Sequence, residues 1–153
     1  MNTTHPPSYE NTLLKRIDHV ALVVPDLDEA IALYARHFGV AFDWRVHNEE
    51  AGFGVAAFYL GDFHIELLCP TRADSDISKF LEKRGSGIHH IAFEVEDIQK
   101  SVSKLRIEGL SPINDTPRMG TGGSRIIFLH PKAFMGAMIE LIELPPQETN
   151  NPS

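Results

Sequence analysis

An α+β fold made of two tandem β-α-β-β-β modules is predicted by three features of this 153-residue chain. The stretch RIDHVALVVPDL at 16–27 returns as GIHHIAFEVEDI at 87–98. Each copy runs into a segment with helical punctuation, and each half closes on an Ile-Glu-Leu run, in DFHIELLCP at 62–70 and GAMIELIELP at 136–145. At a constant offset of 71 the identities are Ile17/Ile88, His19/His90, Ala21/Ala92, Val24/Val95 and Asp26/Asp97. Two such units, packed by approximate two-fold symmetry, would form a single domain around a shared cavity.

Residues 1–14 read as a flexible leader without the apolar core of a secretory signal or the Arg-rich character of a transit peptide. Module one, 15–71, opens on the repeated strand. Asp26 is then the N-cap of a helix whose apolar residues Ala30, Leu33, Tyr34 and Phe38 recur at helical spacing until Gly39 closes it. Short β-type runs follow, VAAFYLG at 55–61 among them, separated by Gly or polar turns. A linker helix over 74–85, carried by SDISKFLEKRG, joins the halves. Module two, 86–144, repeats the plan: strand, Asp97 as N-cap, Ile98, Val102 and Leu105 on one helical face, Gly109 at its end, then the β-run SRIIFLH at 124–130. The Pro-rich polar tail at 145–153 is expected to be disordered.

Composition excludes several classes of function. With 42% hydrophobic and 23% charged residues, the chain has no apolar run near the roughly 20 residues of a membrane helix. A net charge of −7 without a Lys/Arg cluster argues against nucleic acid as a partner, because that affinity comes from neutralising phosphates. An anionic small molecule would need a local basic patch. The lone Cys69 excludes an intramolecular disulfide and a Cys-based zinc site, and in LLCP it reads as a small core residue. A cytoplasmic domain is the expected setting.

Strand alternation puts Ile17, His19, Ala21 and Val23 on one side of the first strand, and Val20, Leu22 and Val24 on the other. The bulky side suits packing under the helix. The His side carries an alanine two residues on in both copies, which leaves room beside the imidazole. Glu66 follows His19 by 47 residues and Glu140 follows His90 by 50. Modules packed by approximate two-fold symmetry would bring the two His-Glu pairs together. Two imidazoles and two carboxylates without a thiolate suit a divalent ion, Co, Ni, Mn, Fe, Zn or Mg, with positions left for water or substrate. A single His on a strand is more often a plain core or surface residue, but a β-α-β-β-β scaffold does not itself demand titratable residues at both places. Of the other histidines, His5, His37 and His47 sit in leader, helix or loop, His64 shares the Glu66 side of its strand, and His89 and His130 have no counterpart in the repeat.

Paired modules with these residues resemble the vicinal oxygen chelate (glyoxalase/bleomycin-resistance/dioxygenase-like) superfamily. The closest resemblance is to its methylmalonyl-CoA epimerase family, over nearly all of residues 17–144. It is carried by IDHVA at 17–21, SGIHHIAFEVEDI at 86–98 and MGTGGSRIIFLHPKAFMGAMIEL at 119–141. The resemblance implies metal ligands at His19, Glu66, His90 and Glu140; the second is Gln in some members of the family. It implies interconversion of the (R) and (S) forms of methylmalonyl-CoA by 1,1-proton transfer through a metal-stabilised enolate, in a homodimer. Glu140 is then the first choice of base. Some epimerases carry a further catalytic glutamate after a Gly-Val step; matching that step to Gly54-Val55 puts Ala57 in its place. The second acid/base is therefore Glu66, or Glu49 or Glu50 from the preceding loop. GTGG is either a plain turn or a loop that closes over an acyl-CoA, with Gly122 and Gly123 against the substrate and Arg125 or Lys132 pairing with a carboxylate or phosphate. Two other functions fit the same modules: a glyoxalase I-type isomerase of a glutathione hemithioacetal, and a non-catalytic sequestering module.

Overall fold

The computed structural model describes residues 12–146. Most of the predicted leader and most of the predicted tail, residues 1–11 and 147–153, lie outside the described residues. Module one contributes β1 (Leu14–Val23), α1 (Leu27–Phe38), β2 (Trp44–Asn48), β3 (Phe53–Leu60) and β4 (Phe63–Pro70). Helix α2 (Asp76–Arg84) follows, and module two contributes β5 (Gly87–Val95), α3 (Ile98–Ile107), β6 (Arg118–Met119), β7 (Arg125–Leu129) and β8 (Ile139–Glu143). Both halves are therefore β-α-β-β-β, as the repeat predicts, although the second strand of module two has shrunk to two residues.

The caps behave as their chemistry requires. Asp26 accepts from the Glu29 N–H and Asp97 from the Lys100 N–H, each satisfying a donor that the first helical turn leaves unpaired. Gly39 takes the left-handed conformation at φ 67° and its N–H reaches the Ala35 carbonyl. At the end of α3 the cap is Glu108, and Gly109 comes just after it at φ 83°. Ser75 caps α2.

All eight strands form one sheet in the order β2-β3-β4-β1-β5-β8-β7-β6, so each module is half of it and the antiparallel β1/β5 pair is the seam. Helices α1 and α3 cover one face. Under α1, Leu27 and Ala30 pack with Leu22, Val24, Ala56 and Leu67; under α3, Ile98, Val102 and Leu105 pack with Val95, Ile127 and Leu141. The bulky side of each repeated strand is thus the helix side. The predicted stripe of α1 needs one correction: Leu33 and Phe38 are exposed, and the face turned to the sheet runs through Leu27, Ala30, Ile31 and Tyr34. On the opposite face α2 seals one end, with Ile77 against Val23, Val55 and Leu68.

The register across the seam sets two rows on that opposite face. In one, Ala57, Glu66, Ala21 and His90 stand side by side on β3, β4, β1 and β5. In the other, His64, His19, Ala92, Glu140 and Phe128 stand on β4, β1, β5, β8 and β7. Each His is thus separated from the Glu of the other module by one alanine, and both alanines are fully buried. Adding methylenes there forces side chains off their rotamers. Ala92→Leu is expected to cost about 1–3 kcal/mol in urea denaturation and to abolish metal uptake measured on the folded fraction.

Candidate metal centre

The two alanines let the flanking side chains lean over them and meet. His19 Nε2 lies 3.1 Å from His90 Nε2, 3.8 Å from Glu66 Oε2 and 3.9 Å from Glu140 Oε1, and His90 Nε2 lies 3.1 Å from Glu140 Oε2. His19, His90 and Glu140 are buried, Glu66 nearly so. Donors held at 2.0–2.2 Å from one cation stand roughly 3–3.5 Å from each other, which is close to the spacing observed. The donor set of imidazole nitrogens and carboxylate oxygens suits a borderline-to-hard divalent cation. Of the four residues singled out by the repeat, His19, His90 and Glu140 form one compact cluster, and Glu66 reaches it through His19.

Two residues that alternation alone sends to the far face also belong here. The register of β1 against β5 skips Asp18 between Ile17 and His19, and skips His89 between Ile88 and His90. Both are bulge residues, and they occupy equivalent positions in the repeat. A bulge bends its strand and re-aims a side chain. Asp18 Oδ2 lies 2.7 Å from His19 Nδ1, the carboxylate-imidazole arrangement that fixes a ligand's tautomer and ring orientation. His89 Nδ1 lies 2.8 Å from His90 Nδ1, and its ring meets Phe80 edge-on at 4.9 Å. The signal was available in the repeat, since both copies hold a polar residue just before the repeated His.

The electrostatics follow from burial and neighbours. Burial alone would lower the His19 pKa, but the Asp18 hydrogen bond and the charges of Glu66 and Glu140 outweigh it and push it up to about 9. Burial would raise Asp18 and Glu66, yet the His19 bond holds Asp18 below its ordinary value, and the His64 bond with nearby imidazoles does the same for Glu66. His89, buried and beside His90, drops to about 4. The acidic side chains around His19 thus favour its protonated form.

The centre opens into a cavity of about 940 Å³, near the upper end of the roughly 300–1,000 Å³ usual for small-molecule sites. Trp44, Tyr59, Phe80, Phe128 and Met138 line it, together with the cations Arg72, Lys79, Lys83, Arg84 and Arg118. Those cations are the local patch that a net charge of −7 hides, and the i,i+4 spacing of Lys79 and Lys83 on the linker helix was its sequence signal. Of the predicted substrate residues, Gly122 lines the cavity in a tight turn with Gly123, both at positive φ. Arg125 pairs with Glu143 and Gln99, and neither it nor Lys132 is part of the lining. Ala57 is fully buried opposite Glu66, and the cavity face of β3 carries Phe53, Val55, Ala57 and Tyr59 without a carboxylate. Glu50 lines the outer cavity, whereas Glu49 contributes its backbone carbonyl to Arg72.

Residues 18–128 match the family model described as the Glyoxalase/Bleomycin resistance protein/Dioxygenase superfamily. Among relatives, the mitochondrial methylmalonyl-CoA epimerase of Dictyostelium discoideum is 40% identical over 129 residues, 84% of this chain and 78% of that protein. The crystal structure of methylmalonyl-CoA epimerase from Mycobacterium tuberculosis superposes with a TM-score of 0.83 at 37% identity, covering 90% of this chain and 93% of the other. A methylmalonyl-CoA epimerase in complex with methylmalonyl-CoA and NH4+ gives 0.81 at 38% identity, covering 86% and 95%.

A metal entering the centre has to displace the proton on His19. The folded pKa of about 9 lies above the ordinary 6.5. That proton therefore stabilises the metal-free fold fully below pH 6.5, and its contribution is lost as pH rises through 9. Cobalt affinity should tighten over the same interval. Calorimetry at pH 7 in buffers of different ionisation enthalpy is expected to report about one proton released per cobalt ion. Chelator-treated protein is expected to melt at a lower temperature at pH 9.5 than at pH 6.5.

Proposed function

The chain belongs to the Glyoxalase/Bleomycin resistance protein/Dioxygenase superfamily, in its methylmalonyl-CoA epimerase branch, and from that membership we propose that it interconverts the (R) and (S) forms of methylmalonyl-CoA. The observation that carries this reading is the buried meeting of His19, Glu66, His90 and Glu140 beside a cavity lined by cations. The reaction takes one proton off the α-carbon and returns it to the other face. His19, His90, Glu66 and Glu140 would hold a divalent cation, one of Co, Mn, Ni, Zn, Fe or Mg, which when bound supplies a Lewis acid for the thioester oxygen that gains charge as the proton leaves.

The chain's own groups do the rest. Glu140 is the base: its carboxylate is buried, both oxygens face imidazoles, and Phe128 stands opposite it in the sheet. Glu66 reaches the centre from the other module and is the group we assign to the opposite face, because β3 offers no carboxylate there. Asp18 holds the His19 ring so that Nε2, and not Nδ1, is turned to the centre. Lys83 and Arg84 suit the phosphates of a coenzyme A arm through charge-assisted hydrogen bonds, whereas Arg72 and Lys79 beside them are paired with Asp74 and Asp76. Arg118, 5.6 Å over the ring of Phe128, which pairs with Glu140 in the sheet, suits the acyl carboxylate. A cytoplasmic homodimer is the setting we propose.

One epimer of methylmalonyl-CoA, incubated with the cobalt-loaded protein in deuterated water, is expected to convert to the other with deuterium at the α-carbon. Metal-stripped protein is expected to do neither, and Glu140→Gln to lower the rate by about 10²–10⁴-fold. Fully loaded protein that produces no exchange would remove the substrate assignment, and the glutathione hemithioacetal would be tried next.

A further inference from the structure

The repeat makes Glu66 and Glu140 equivalents, yet what precedes them differs. Two residues before Glu66, on the same face of β4, stands His64; the matching place before Glu140 is Met138. His64 Nε2 lies 3.2 Å from Glu66 Oε1, while the other oxygen, Oε2, is the one 3.8 Å from His19 Nε2. Around Glu140 both oxygens face imidazoles, Oε2 that of His90 and Oε1 that of His19. A thioether has no N–H to donate, so Met138 cannot hold either of them.

The His64 ring is fixed by more than this contact. In the sheet it stands between His19 on β1 and Tyr59 on β3. Its centroid lies 5.1 Å from both rings, tilted 33° against His19, and Trp44 meets it edge-on at 6.0 Å. Its side chain is largely buried. A ring so packed is a rigid donor.

We infer that His64 is a positioning residue, donating from Nε2 to Glu66 Oε1 and so holding Glu66 with a single oxygen turned to the centre. Module one then supplies a one-oxygen ligand, and module two a carboxylate with both oxygens available. This rests on reading the four residues as metal ligands, and it does not depend on which substrate the protein takes.

Cobalt titration of the chelator-stripped full chain, followed by affinity and by visible d–d absorption, tests it. His64→Phe keeps a flat ring against Tyr59 and Trp44 but has no N–H. It is expected to weaken cobalt binding about 10–100-fold and to shift the absorption. His64→Gln, which restores an N–H, is expected to recover most of the affinity. In a Glu66→Gln background, which lacks the second carboxylate oxygen, His64→Phe should add little, because the two residues act as one unit. Affinity within about twofold of the parent with an unchanged spectrum in folded His64→Phe would overturn the inference. So would an equal loss in both backgrounds, since that assigns the effect to packing. Should His64→Phe not fold, His64→Leu also lacks the donor and carries the same expectation and refutation. Because cobalt binding is read without substrate, protein that binds cobalt as expected but leaves methylmalonyl-CoA unchanged overturns the epimerase reading alone.

Discussion

Everything in this structure turns on the antiparallel pairing of β1 with β5. That pairing brings Ala21 opposite His90 and Ala92 opposite His19, so two imidazoles from different modules come within 3.1 Å of each other across the seam. Such a contact is unfavourable in isolation. Burying four ionisable groups among apolar walls removes their hydration, and only pairing with opposite charge or a metal offsets that cost. A protonated His19 would meet this requirement in part, and a divalent cation would meet it better because it could satisfy several of these donors at once. The seam is thus a folding contact that also brings together the residues of the candidate metal centre.

The demands of the seam explain details that look arbitrary along the strands. An alanine must separate each His from the Glu of the other half, since any larger side chain would fill the space over which they meet. The bulges at Asp18 and His89 then serve the same centre. By setting one extra residue into each repeated strand they place a polar side chain next to the ligand imidazole instead of on the helix side, where Leu22, Phe93 and Val95 need an apolar neighbour. Helices α1 and α3 cover the back of the sheet, and α2 closes one end of the front. The cavity is what remains.

The sequence was legible wherever a feature was written twice. Duplication exposed His19, His90, Glu66 and Glu140, the caps Asp26 and Asp97, and the element order of both halves. It failed where one rule yields to another. Alternation has period two, and a bulge breaks it, so alternation alone does not reveal that Asp18 and His89 turn toward the histidine side of their strands. The stripe on α1 was drawn too wide because helical spacing alone does not reveal which apolar side chains reach the sheet, and Leu33 and Phe38 do not. Net charge is a sum over the chain, so −7 concealed the cations that the linker helix and its neighbours turn into the cavity. Arg125 drew notice for standing in a motif, while its side chain is engaged by Glu143 and Gln99.

Where the two modules depart from each other is as informative as where they agree. Equivalent places one step from the ligands hold Asp18 against His89, His64 against Met138, and Ala57 against Phe128. A symmetric frame can bring four donors to one point, but a substrate with a thioester on one side and a carboxylate on the other is not symmetric, and neither is the order in which a proton leaves and returns. The differences all fall in the ring of residues around the donors, leaving the donors themselves equivalent. Divergence there can assign unequal tasks to Glu66 and Glu140 without moving either ligand, because the orientation of a carboxylate depends on what donates to its second oxygen. On the proposed reading the asymmetry that the reaction requires would be carried by His64, Asp18 and the bare face of β3, while the symmetry that a metal would require would be carried by the seam.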